Sequence, residues 1–108
     1  MTVALVEVAR TVDVPEGEVR KVVVAGTEIA LVNLGGGEFR AVADECSHAH
    51  YFLSEGEVDV EDRTIECPKH GSTFDLETGA PRTLPATVPV ATFRVKVEGD
   101  RVLIDVED

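Results

Sequence analysis

The chain has 108 residues, 44% of them hydrophobic, no tryptophan and a formal net charge of −11 at pH 7. This length suits one domain with a modest core, and the surplus of carboxylates argues against nucleic acid as a partner because phosphates would be repelled. The acidic surface either serves solubility alone or also steers the protein toward basic patches on partners, and the two are compatible.

Short apolar strands separated by turn residues fill the first part of the chain. The pattern predicts strands at 4–8, 19–24, 29–32 and 39–43. The segment 29–32 is apolar on both faces, which predicts a central strand. The three glycines at 35–37 turn the chain into a hairpin; a phosphate-binding loop is excluded because no helix, lysine or serine pattern follows.

The clearest chemical signal is a pair of short Cys/His motifs, Cys46-Ser47-His48 and Cys67-Pro68-Lys69-His70, which contain both cysteines of the chain. The linker 49–66 is long enough to turn back and set the two loops face to face. Four convergent sulfur and nitrogen donors predict a metal site. By residue type alone, structural zinc and a disulfide remain alternatives, although a disulfide leaves the histidines unexplained. We expect His50 at the loop rim rather than among the ligands.

The predicted fold is all-β, a single domain over 1–108. Strand signal thins between 44 and 89, which predicts a small metal-binding subdomain inserted between strands. Near the end of the chain, alternation over 93–97 and 102–106 with Gly99-Asp100 between them predicts a hairpin. No stretch has a helical period, so we expect an antiparallel sandwich or partly open barrel carrying the inserted subdomain.

The residues around both motifs resemble Rieske [2Fe–2S] proteins. The resemblance extends from Cys46-Ser47-His48-Ala49 through Leu53-Ser54-Glu55-Gly56, the run 67–75, Thr78-Gly79, Pro85-Ala86 and Val97-Glu98-Gly99-Asp100. It covers more than half of the chain in the right order. It implies one Rieske-type [2Fe–2S] cluster, with Cys46 and Cys67 on the inner iron and His48 and His70 on the outer iron.

The same resemblance implies how the potential is set. Two ferric ions, two sulfides and two thiolates sum to zero charge, so an electron is added more easily than to an all-cysteine centre. Ser72 occupies the position of a serine that donates to cluster sulfur, whereas Phe74 replaces a tyrosine and has no hydroxyl. One donor kept and one lost predicts a potential toward the lower end of the Rieske span. Tyr51 and Lys69 stand near the positions where higher-potential relatives carry an extra disulfide.

The implied function is electron carriage, not catalysis. The resemblance is closest to the ferredoxin components of ring-hydroxylating dioxygenase systems, which implies an NAD(P)H-dependent flavin reductase as donor and a terminal oxygenase as acceptor. Another redox system, such as cluster assembly or a nitrite reductase small subunit, is the alternative within this chemistry; a zinc-stabilised interaction module is the alternative outside it.

The remaining expectations concern the surroundings of the protein. The apolar run Thr2 to Val6 is too short, and lacks the basic start, for a signal peptide, and no stretch is long enough to span a membrane. We therefore expect a cytoplasmic monomer without membrane attachment. Asp44, Glu45, Asp59, Glu61 and Asp62 are expected on a solvated acidic surface near the site, or as a docking ring.

Overall fold

The computed structural model describes residues 5–45, 51–68, 71–83 and 88–105. Its strands are β1 (Leu5–Arg10), β2 (Val19–Val24), β3 (Thr27–Gly35), β4 (Glu38–Ala43), β5 (Val58–Asp59), β6 (Thr64–Glu66), β7 (Thr73–Asp75), β8 (Thr92–Glu98) and β9 (Arg101–Asp105). Short 3₁₀ turns lie at Thr11–Asp13 and Leu53–Glu55, and these described ranges contain no α-helix. The all-β prediction is confirmed. No helix that could cross a bilayer occurs in the described part of the chain.

Two antiparallel sheets make up the fold. The six-stranded sheet has the order β1-β9-β8-β4-β3-β2, and its outer strands β1 and β2 contact each other, so it is a nearly closed barrel. The three-stranded sheet β5-β6-β7 lies inside the segment where strand signal was weak. Strands of two or three residues are too short to show an alternating pattern, which is why the sequence did not reveal them.

Strand β3 is buried on both faces, as its sequence predicts. Ile29 and Leu31 point into the barrel, where they pack in its apolar interior. Ala30 and Val32 point the other way, into the inter-sheet core beneath the small sheet. The inter-sheet core consists of Ala30, Val32, Leu34, Val42, Leu53, Ile65, Cys67, Phe74, Leu76 and Val90. A strand with two buried faces cannot lie at a sheet edge, and β3 lies between β2 and β4.

The predicted hairpin turns are present. Ala25 and Gly26 connect β2 to β3 with positive φ values of 51° and 82°, the conformation that suits a two-residue turn. Gly99 and Asp100 connect β8 to β9, with Glu98 paired to Arg101 across the turn. The final hairpin is therefore confirmed through Asp105; residues beyond it lie outside the described part of the chain.

A network of charged side chains also joins the two sheets. Arg63, in the turn between β5 and β6, donates from Nη1 to Oε1 of Glu38 at 3.0 Å and from Nη2 to Oε2 of the same carboxylate. Arg63 also donates from Nε to Oε1 of Glu77 at 3.0 Å, and Arg40 donates from Nη2 to Oε2 of Glu38 at 2.8 Å. The Arg63 hydrogen bonds, assisted by those of Arg40, lower the pKa of Glu38 to about 2. The bidentate geometry orients the small sheet on the barrel.

Replacing Glu38 with glutamine should lower the free energy of unfolding at pH 7, because the charge-assisted bonds from two arginines are lost. The folded-state pKa of Glu38 lies below its ordinary value, so its stabilising contribution is present above pH about 4.5 and is lost as pH falls toward about 2. Denaturant unfolding of both proteins from pH 7 to pH 2 measures this. If the difference in unfolding free energy between wild type and variant does not become smaller toward pH 2, the proposed stabilising role of ionised Glu38 is contradicted.

Candidate metal centre

The structure describes one of the four predicted ligands, Cys67. Cys46, His48 and His70 lie outside the described residues, as does His50. Within the described ranges no group of three or more His, Cys, Asp or Glu side chains is arranged to hold a metal ion. The ligand assignment therefore stays a prediction, and the described residues show how the loops that carry these side chains are built.

Cys67 begins the loop that joins β6 to β7. The ladder pairs Glu66 with Thr73, and Cys67 is the first residue beyond that pair. Its N–H donates to the carbonyl of Ser72 at 2.7 Å, and its carbonyl accepts from the N–H of Gly71 at 3.1 Å. Gly71 has a φ of +73°, which a residue with a side chain rarely adopts. The loop is thus closed by its own backbone directly beside the cysteine.

The side of this loop that faces the protein interior is apolar. Cys67 has no solvent exposure and packs in the inter-sheet core with Leu53, Ile65 and Phe74. Burial among apolar side chains keeps water from the sulfur, a condition that protects thiolate–iron bonds from solvent. Phe74 is fully buried in the same core, in agreement with a packing role.

Ser72 is fully buried next to Cys67 in space, because its carbonyl accepts the Cys67 N–H. Burial of a hydroxyl is costly unless it is hydrogen-bonded, and Ser72 is not without a partner. Its predicted role as a donor toward cluster sulfur remains a prediction.

The first ligand loop is closed at its base by backbone pairing. Glu45 and Phe52 form an isolated antiparallel bridge, and the N–H of Leu53 donates to the carbonyl of Asp44 at 2.6 Å. The N–H of Asp44 in turn donates to the carbonyl of Glu28 at 3.0 Å, which continues the pairing of β4 with β3. The segment that contains Cys46 and His48 therefore leaves from, and returns to, the end of a barrel strand.

The expected position of Asp44 on an acidic surface is wrong. Its side chain has no solvent exposure, whereas Glu45, Asp59, Glu61 and Asp62 are exposed as expected. The physical reason is that Asp44 has specific donors: the N–H of Ser54 at 2.7 Å from Oδ1, and the Ser54 hydroxyl at 3.0 Å from Oδ2. Sequence reasoning missed this residue, because a carboxylate beside other acidic residues resembles a solvated surface.

A third segment, the start of the proline-rich stretch, is tied to the second ligand loop. Thr83 Oγ1 accepts from the N–H of Thr73 at 2.9 Å and donates to the carbonyl of Gly71 at 3.4 Å. The N–H of Arg82 donates to the carbonyl of Thr73 at 2.7 Å. Residues 84–87, which the sequence predicts to cover the cluster from a third side, are outside the described part of the chain.

Gly56 is the point where the exit of the first ligand loop meets the entry to the second. A Cβ atom at this residue would lie 1.7 Å from the carbonyl oxygen of Glu66, the residue before Cys67. No side chain can occupy that space, so the close approach of the two segments requires glycine. Gly56 belongs to the sequence pattern on which the family resemblance rests, and the structure explains why glycine is needed there.

Replacing Gly56 with alanine should therefore push the two ligand loops apart. We expect a loss of at least about 2 kcal/mol in unfolding free energy, because the overlap is with backbone that cannot rotate away. Fast amide exchange in residues 64–75 would report the displaced hairpin. Gly99→Ala is the control: its Cβ meets nothing within 4 Å, so only the strain of its φ of +63° is expected, about 1 to 2 kcal/mol, with unchanged exchange at 64–75. Equal exchange in both variants would contradict the steric argument.

Comparison with known protein families identifies one matching family model. Residues 4–94 match the model described as the Rieske [2Fe–2S] domain. A curated relative, the 3-phenylpropionate/cinnamic acid dioxygenase ferredoxin subunit of Escherichia coli (strain K12), is 46% identical over 96 residues, which cover 89% of this chain and 88% of that protein.

Solved structures of dioxygenase ferredoxins have the same fold as this chain. The ferredoxin of carbazole 1,9a-dioxygenase from Nocardioides aromaticivorans IC177 superposes with a TM-score of 0.90 at 36% identity, covering 94% of this chain and 96% of that chain. A chain from the complex of reduced oxygenase and oxidized ferredoxin in carbazole 1,9a-dioxygenase superposes with a TM-score of 0.85 at 36% identity, covering 94% and 92%. In both comparisons the structural similarity extends over nearly the whole length of the two chains compared.

Proposed function

Since this chain belongs to the Rieske [2Fe–2S] domain family, we propose that it carries single electrons between proteins by means of one such cluster. The observation that supports this most directly is the whole-length similarity to proteins that are themselves named ferredoxins of dioxygenase systems. The cluster, when bound, supplies a centre that accepts and releases one electron. We further propose an NAD(P)H-dependent flavin reductase as donor, a terminal ring-hydroxylating oxygenase as acceptor, and a monomeric, cytoplasmic carrier.

We propose Cys46 and Cys67 as ligands of the inner iron and His48 and His70 as ligands of the outer iron. The described residues fit such a group. Cys67 is withdrawn from water, its loop is closed by two backbone hydrogen bonds, and Ser72 is buried beside it. A mixed cysteine and histidine donor set is the one that this type of cluster uses. The imidazoles, on the outer iron, would provide the route for electrons to partners.

We also propose that residues 44–89 act as one cluster-binding subdomain. Its small sheet is held on the barrel by the inter-sheet core and by the Arg63–Glu38 ion pair. The first and second ligand loops meet at Gly56, so their separation is set by the fold. Preformed loops of this kind hold ligands in place when the charge of the bound group changes.

Replacing Cys67 with serine should abolish the native cluster. Wild-type protein is expected to contain two irons and two acid-labile sulfides per chain and to give a Rieske-type EPR spectrum after reduction; the variant should give neither. Val90→Ala is the matched control, because Val90 is buried in the same core without being a ligand. It should lower stability and leave the spectrum unchanged. A wild-type spectrum in Cys67→Ser would overturn the ligand assignment, and stoichiometric zinc in colourless wild type would overturn the carrier function.

Electron exchange with partners should slow as salt is added. The net charge of −11 steers the protein toward basic surfaces, and this attraction is screened beyond about 10 Å at 0.1 M salt. Stopped-flow reduction by a flavin reductase of the proposed class, from about 20 to about 500 mM salt, measures the rate. The midpoint potential is measured over the same salt range as a control, because a change in potential would also change the rate of electron transfer. Rates that stay constant or rise with salt would contradict steering by the acidic surface.

A further inference from the structure

Asp44 is a fully buried carboxylate, whereas the other acidic residues that the structure describes are not buried. Burying an ionised carboxylate costs several kcal/mol unless it is paired and hydrogen-bonded, so such a residue requires a structural explanation. Asp44 stands two residues before Cys46, where the first ligand loop leaves the barrel. Its location suggests that the explanation concerns this loop.

The Asp44 carboxylate joins the two ends of the first ligand loop. Oδ1 accepts from the backbone N–H of Ser54 at 2.7 Å, and Oδ2 accepts from the Ser54 hydroxyl at 3.0 Å. Both bonds are charge-assisted, which makes them stronger and more strictly oriented than neutral ones. Together with the backbone bond from Leu53 to the Asp44 carbonyl, they fix the return point of the loop relative to its start.

Lys21 attaches this base to the barrel. Its ammonium lies 3.4 Å from Oδ2 of Asp44, 2.9 Å from Oε2 of Glu28 and 3.5 Å from the centre of the Phe52 ring. The hydrogen bond to Glu28 raises the pKa of Lys21, so the group is cationic at neutral pH. Its position over the Phe52 ring adds a cation–π attraction to the last residue before the 3₁₀ turn. A cation from β2 thus contacts both the start and the end of the loop.

We propose that Asp44 and Lys21 are positioning residues for the first ligand loop, and that their opposite charges adjust the potential of the centre it helps to bind. The inference rests on the proposed function, since Cys46 and His48 are its predicted ligands. Ser54 is the third member, because from the far end of the loop its N–H and its hydroxyl donate to the Asp44 carboxylate. We name Asp44, Lys21 and Ser54 the loop-base network.

The two charges should act on the potential in opposite directions. The reduced centre is more negative than the oxidised one, so an adjacent anion destabilises the reduced form and an adjacent cation stabilises it. Asp44→Asn should therefore raise the midpoint potential, and Lys21→Met should lower it. A role in folding alone would not give shifts of opposite sign, which makes the sign the decisive measurement.

The experiment compares holoprotein of wild type, Asp44→Asn, Lys21→Met and Ser54→Ala by protein-film voltammetry and EPR. Ser54→Ala keeps both charges, so we expect little change in potential but about tenfold to a hundredfold faster iron loss to a chelator, as is typical when a residue that supports a ligand is lost. Lys21→Arg should restore the wild-type potential. Lys96→Met is the matched control, because it removes the same charge from an exposed pair with Glu98 on β8.

Shifts of opposite sign for Asp44→Asn and Lys21→Met, each larger than that of Lys96→Met, would support the proposal. Shifts of the same sign, or shifts no larger than that of the control, would overturn the electrostatic part. Unchanged iron loss in Ser54→Ala would overturn the positioning part. If Asp44→Asn does not fold, the electrostatic part is decided by Lys21→Met and Lys21→Arg: a potential lowered more than in Lys96→Met, and retained in Lys21→Arg, supports it, and any other result overturns it. Ser54→Ala still decides the positioning part.

Failure of the proposed function would look different. Wild-type protein that binds no iron would overturn the carrier function and leave the loop-base network to be judged in metal-free protein. There, the Ser54 amide should exchange with solvent faster in Asp44→Asn than in wild type, because the charge-assisted acceptor is gone. Equal exchange in the two proteins would overturn the network as well.

Discussion

The packing of the small sheet on the barrel is the contact on which the rest of this structure depends. Ala30 and Val32 on one side meet Ile65 and Phe74 on the other, and Cys67 is part of the same apolar layer. Each buried methylene contributes about 0.8 kcal/mol, so a layer of this size can hold a polar, loop-rich subdomain that has little core of its own. The position of Cys67, the one predicted ligand that the structure describes, is therefore set by hydrophobic burial together with the backbone bonds of its loop.

The two ligand loops are held by different kinds of interaction. The second loop is fixed by apolar burial and by backbone bonds around Cys67. The first is fixed by a buried carboxylate with three donors from residues distant along the chain, Lys21 among them. Gly56 brings the two segments together, because its missing side chain lets the carbonyl of Glu66 approach. The described ends of both predicted ligand loops are therefore held by the fold itself, which suits a protein that has to keep a bound group in one place.

The charges of this protein serve two purposes that their sequence positions do not distinguish. Glu38 and Glu77 meet Arg63 between the sheets, and Asp44 is buried just after β4 against Ser54 and Lys21; these carboxylates act within the fold. Exposed carboxylates such as Glu61 and Asp62 face solvent and contribute to the field around the molecule. In a protein of the Rieske [2Fe–2S] domain family, such a field can speed the encounter with a positively charged redox partner.

The sequence by itself determined the strands of the barrel, its hairpin turns and the family. Alternating apolar residues, glycine turns and a spaced Cys/His pattern are local features, and local features can be read from neighbouring residues. The short strands of the small sheet, the burial of Asp44 and the steric need for Gly56 were decided by the tertiary structure alone. The strands are too short to show an alternating pattern, and the other two features depend on residues that are not neighbours in the sequence, Lys21 for Asp44 and Glu66 for Gly56. Whether a carboxylate is solvated or buried is settled by the donors that folding brings to it, because the same residue costs free energy without them and stabilises the fold with them.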